Sequence, residues 1–178
     1  MSKTNKYVFI GLHIVAWIIF VGLCIEAGGL IVNFIFSLFK PEMVKNLYQK
    51  LDLSKMYERS QWVYFGMYSY ILFIAILKAC MFYIVIQLIM KLDLKKPFND
   101  YAARKITTIS YYTLSIGLIS YIARQSSRSL MHQGFEIDIL DQFWADSEAF
   151  ILMAAVIYVI ATIFSKGVEI QNENDLTV

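Results

Sequence analysis

Two charged residues, Glu26 and Lys78, interrupt long apolar stretches of this 178-residue chain. An ionised side chain inside a bilayer costs roughly 2.5–3.5 kcal/mol on insertion scales, which makes each a candidate for proton-linked or ion-linked chemistry. Paired, they would offset one another. Along ideal helices Glu26 lies about 30 Å beyond Lys6, and Lys78 about 20 Å before Lys91, so their depths should differ by about 10 Å. A flexible lysine stem and helix tilt absorb part of that gap. The bland reading is a snorkelling lysine and an interfacial glutamate beside Gly28–Gly29.

A second concentration of polar chemistry lies in "ITTISYYTLSIGLISYIA", where Thr107, Thr108, Ser110, Thr113, Ser115 and Ser120 ring one apolar segment. Small and hydroxyl side chains let membrane helices approach and hydrogen-bond, and Thr113 and Gly117 form a small-xxx-small pair. Central packing of this helix is the expectation, and a wet cavity is the alternative. Gln87 and Asn33 suit either.

Other reactive side chains are scattered. Cys24 and Cys80 sit in apolar runs with no metal-ligand spacing, and read as small hydrophobic side chains. His13 and His132 fall toward opposite ends of the membrane segments. No nucleophile signature or Gly-rich phosphate loop occurs. The chain reads as no enzyme, with no cofactor and no metal. A net charge of +2 without a basic cluster argues against direct nucleic-acid binding.

The elements that position these residues follow from hydropathy. The chain is 58% hydrophobic and 17% charged, with a mean hydropathy of +0.56. A soluble domain of this size could not bury so much apolar surface. A membrane span needs about 20 apolar residues, and four segments emerge at about 7–39, 62–90, 106–123 and 147–166. Backbone groups in lipid must be paired internally, so each segment is a helix. The expected fold is all-α: a single-domain, four-helix transmembrane bundle in the lipid bilayer. The first segment exceeds one span and should tilt, bend at Gly28–Gly29 or protrude. The basic middle connection "KLDLKKPFNDYAARK" places both termini and the tail 167–178 in the cytoplasm.

The two opposite connections are longer. Pro41 followed by Val44, Leu47, Tyr48 and Leu51 predicts an amphipathic surface helix. "GFEIDILDQFW" predicts a short strand or interfacial turn. Trp62, Tyr64, Tyr68, Tyr70 and Trp144 read as headgroup anchors.

Two stretches carry a family resemblance. "KKPFNDYAARKI" and the ending "FSKGVEIQNENDLTV" resemble the middle loop and C-terminus of a bacterial membrane family, domain of unknown function 2975. The likeness runs through nearly the whole chain in order: four spans, a short basic loop and a polar tail. It implies a multi-pass protein of the bacterial inner (cytoplasmic) membrane, encoded beside small helix-turn-helix regulators. The partner it suggests is such a cytoplasmic transcriptional regulator, sensed or held at the membrane. Asn99 should cap the third helix and Pro97 should end the second. The docking candidates are then Phe98, with Glu173, Asp175, Leu176 and Val178 of the tail. The competing reading is a small transporter or ion-conducting protein, homo-oligomeric or not, built on Glu26, Lys78 and the hydroxyl-rich helix.

Overall fold

The structure, a computed structural model, describes residues 3–45, 47–48, 51–92 and 97–176. Every regular element among them is helical: α1 (Lys3–Phe39), α2 (Ser54–Arg59), α3 (Gln61–Lys91), α4 (Asp100–His132) and α5 (Ser147–Leu176), with 3-10 turns at Pro41–Lys45 and Asp138–Phe143. Helices α1, α3, α4 and α5 are long and apolar enough to cross a membrane. The chain is an all-α, multi-pass membrane protein.

The first two spans match their expected bounds. The last two are longer, because their ends carry helix-forming residues that hydropathy does not register. Asn99 caps α4 as expected, its Oδ1 accepting from the Ala102 amide at 2.8 Å. The stretch after Phe164, expected as a separate tail, continues α5 to Leu176. It contains no proline, and Glu and Gln sustain a helix once one is started.

Helix α1 packs on α3 through small and apolar residues at helical spacing: Ala16, Ala27, Leu30 and Ser37 are buried. The Tyr68 hydroxyl donates to the Leu30 carbonyl at 3.1 Å, and the Tyr68 ring stacks on Phe34 at 5.4 Å. The helix runs unbroken through Gly28 and Gly29. Gly29 serves a close approach: the Tyr48 ring occupies the space a Cβ would take.

Helix α4 packs on α3 and on α5, while α1 and α5 share no such packing. Among the described residues the main helix contacts follow chain order, α1 on α3, α3 on α4 and α4 on α5, with Lys78 of α3 also reaching the Phe150 ring of α5. Burial agrees: 39% of the most apolar stretch of α4 is buried, against 6% of that of α1. At the α4–α5 contact Gly117 lies against Ile151 and Phe150, and the Ser110 hydroxyl donates to the Ala154 carbonyl at 3.1 Å. Arg124 grips both carboxylate oxygens of Glu148 at 2.7 and 2.9 Å, tying α4 to the first turn of α5.

The largest apolar core lies at the loop end of the spans. Val44, Leu47, Leu51, Leu53 and Met56 from the first long connection, and Ile137, Leu140 and Trp144 from the second, are buried there with Tyr64 and Tyr68. Among the described residues, Pro41–Lys45 form a 3-10 turn where an amphipathic helix was expected. The Leu47 amide instead bonds the Leu51 carbonyl and the Leu53 amide bonds the Val44 carbonyl, a reversal that points the same apolar residues inward. In the second connection a turn through Gly134, at φ +82°, leads to the 3-10 turn rather than a strand. Trp144, Tyr64 and Tyr68 are core residues rather than headgroup anchors, whereas Trp62 is 89% exposed.

Candidate functional site

The contacts between α1 and α3 set the depths of the two intramembrane charges. Phe34 meets Tyr68 and Phe20 meets Tyr83. Interpolating between these contacts puts Glu26 level with the turn that carries Lys78, so the expected 10 Å offset disappears. Glu26 flanks the α1 stripe, half-buried beside Ala27, whereas the Lys78 ammonium lies 5.8 Å from the centre of the Phe150 ring on α5. Among the described residues no ion pair joins Glu26 to Lys78. A cation over an aromatic face recovers part of its lost hydration.

The hydroxyls of α4 resolve in a similar way. Thr107, Thr108, Thr113 and Ser115 each donate to a carbonyl four residues earlier on their own helix. The nearby mid-span cavity, about 340 Å³ between α3, α4 and α5, is walled by Met81, Val85, Ile109, Met153 and Ile157 with Thr113. The arrangement is that of packed helices, with four of these hydroxyls bonded to their own helix, Thr113 also reaching Met81 Sδ of α3 at 3.3 Å and Ser110 bonding across to α5.

At the terminus end, the structure brings two separate stretches together. Phe98, just before α4, packs against Phe164 of α5 with ring centres 5.3 Å apart and the planes tilted by 54°, and its ring fills the space beside Gly167. It remains 38% exposed. The glycine is what admits the ring, since any larger residue at 167 would collide with it. Above this wedge Val168 is buried and Ile170 exposed, and Lys166 pairs with Glu169 at 2.5 Å. Glu173 and the backbone of Asp175 and Leu176 continue the same helix; Val178 lies outside the described residues. Phe98 therefore packs at the point where α5 continues beyond its apolar stretch. The spacing of Phe98, which precedes α4, and Gly167, within α5, gave no sign of this contact.

Nearby, a cavity of about 480 Å³ opens between α1, α3 and α4, lined by Trp17, Gln87, Lys91, Tyr101 and Lys105 among others. Sequence reasoning noted Gln87 only as a lone polar residue. Among the described residues no group of His, Cys, Asp and Glu could hold a metal ion.

Neither the curated proteins nor the solved structures compared with the chain gave a match. One family profile does match, over residues 47–178. The matched region begins after α1, so it is narrower than the whole-chain likeness expected, but it contains α3, α4, α5, both connections between them and the tail. On that match the chain belongs to the family described as "Protein of unknown function (DUF2975)".

Proposed function

We propose that the protein is a non-enzymatic component of the bacterial cytoplasmic membrane that acts through a cytosolic protein docked at the terminus end of α5. A small helix-turn-helix regulator is the partner class the family resemblance implies. The observation that carries this reading is the continuity of α5 through its polar tail, with Phe98 wedged at its base. A helix held by the bundle presents its side chains without the ordering cost of a flexible tail. It also couples a partner to the packing of α4 and α5, since Phe98 leads directly into α4.

A conducting role has less support. The α4 hydroxyls bond mainly within their own helix, and among the described residues no ion pair joins Glu26 to Lys78, whose ammonium lies near the Phe150 ring.

The test is co-purification of the detergent-solubilised full chain with the regulator encoded beside it. Deleting Glu169 to Val178, or changing Phe98→Ala, should abolish co-purification while membrane insertion is kept. Retention of the regulator by the tail-deleted, inserted protein would overturn the reading.

A further inference from the structure

The crevice between α1, α3 and α4 is built unlike the rest of the terminus end. The Lys91 ammonium lies 5.1 Å and the Lys105 ammonium 5.6 Å from the centre of one ring, that of Tyr101. Lys105 also donates to Gln87 Oε1 at 2.6 Å, and the Tyr101 hydroxyl donates to the Gln87 carbonyl at 3.3 Å. Two like charges are thus gathered around one aromatic ring by contacts with neutral groups. Among the described residues neither lysine has a carboxylate partner, and no carboxylate lines the cavity. Each ammonium carries three donors, so Lys105 keeps two beyond its bond to Gln87.

The rest of the lining is largely apolar, with Trp17, Tyr83 and Met90 exposed along this apolar wall, and the Trp17 indole N–H is already spent on His13 Nε2 at 3.1 Å. Lys91 is the last residue of α3, and Lys105 stands within the first two turns of α4. That is the level at which lipid headgroups meet the ends of membrane helices. A soluble anion would use the two amines and leave the apolar wall idle. A phospholipid uses both.

We propose that this crevice binds an anionic glycerophospholipid, its phosphate between Lys91 and Lys105 and one acyl chain along Trp17, Tyr83 and Met90. Cationic pockets between membrane helices suit such headgroups, each basic side chain contributing a modest electrostatic increment.

The test is native mass spectrometry of the full chain in mild detergent, titrated in separate arms with phosphatidylglycerol, phosphatidylcholine and inorganic phosphate. Phosphatidylglycerol should be retained preferentially. The double change Lys91→Gln, Lys105→Gln should lower that retention about 25-fold, and the double arginine variant should keep it. Lys55→Gln, at the far end of the molecule, should have no effect. Lys91 is exposed, so Lys91→Gln alone, expected to lose about five-fold, serves if the double variant misfolds. Equal retention of the two lipids would overturn the proposal. So would a preference that survives loss of the lysines, or displacement of phosphatidylglycerol by millimolar inorganic phosphate.

Discussion

Arg59 ends α2 and reaches across to the other long connection. One guanidinium nitrogen donates to the Gln133 carbonyl at 2.6 Å and the other to the Gly134 carbonyl, while the guanidinium carbon lies 4.3 Å from the centre of the Phe135 ring. These carbonyls follow the C-terminus of α4, where the helix dipole favours a cation. The planar fork meets two carbonyls and a ring at once, a task a lysine cannot repeat. Nearby charges contribute less. The Ser54 amide holds the Asp52 carboxyl below its ordinary value, and the hydrogen bond to Glu136 raises Lys55. The first effect is present at neutral pH and lost as pH falls through the lowered carboxylate range. The second is lost only as pH rises through the raised lysine range. Both groups are solvated and strongly screened. Arg59→Ala should therefore free the two connections from each other at a cost of about 1–2 kcal/mol. Limited proteolysis of residues 134–146 in detergent should then run about ten-fold faster, with Arg59→Lys intermediate. An unchanged cleavage rate would show that the apolar core alone holds the cap.

At the scale of elements, the α4–α5 contact depends on Gly117. A Cβ there would stand 2.7 Å from Ile151 Cγ1 and 2.9 Å from the Ile151 backbone nitrogen. The backbone atom cannot rotate away, so Gly117→Ala must push the helices apart, at about 1–3 kcal/mol for overpacking. Gly28→Ala is the control, since a Cβ there meets nothing within 4 Å. Thermal unfolding in one detergent should show a lower midpoint for the first and none for the second. The sequence showed this contact in outline, through Thr113 and Gly117 at small-xxx-small spacing, without naming the partner helix. The four spans were legible for the same reason: hydropathy acts over about 20 residues and needs no knowledge of neighbours. The cap was not. Val44, Leu47 and Leu51 follow a helical period, yet a turn buries the same three residues, and periodicity cannot tell these apart over so short a run. The Phe98–Gly167 wedge and the lysine crevice were hidden too, because each joins residues whose pairing depends on which helices pack together.

For the whole molecule, the division between a capped end and a terminus end gives a directional object. The capped end holds the main core, built from two connections that fold over α1, α3 and α4. The terminus end carries the α5 extension, the Phe98 wedge and the two-lysine crevice. Four crossings require both chain ends to lie on one side of the membrane, and the basic connection Lys91 to Lys105 favours the cytoplasm for that side. Docking of a cytosolic partner on α5 depends on this orientation. It can be checked with single cysteines in a background where Cys24 and Cys80 are replaced by alanine. A cysteine at Lys3 or Asn172 should react with a membrane-impermeant maleimide only after cells are opened. One at Glu58, on α2 in the cap, should react in intact spheroplasts. Labelling of position 172 in intact spheroplasts, with position 58 protected, would reverse the molecule and remove the cytosolic partner from consideration. Labelling of positions 3 and 172 from opposite sides would mean that one of the four helices lies along the membrane instead of crossing it. The edge helix α1 is the first to suspect, because so little of it is buried against the others.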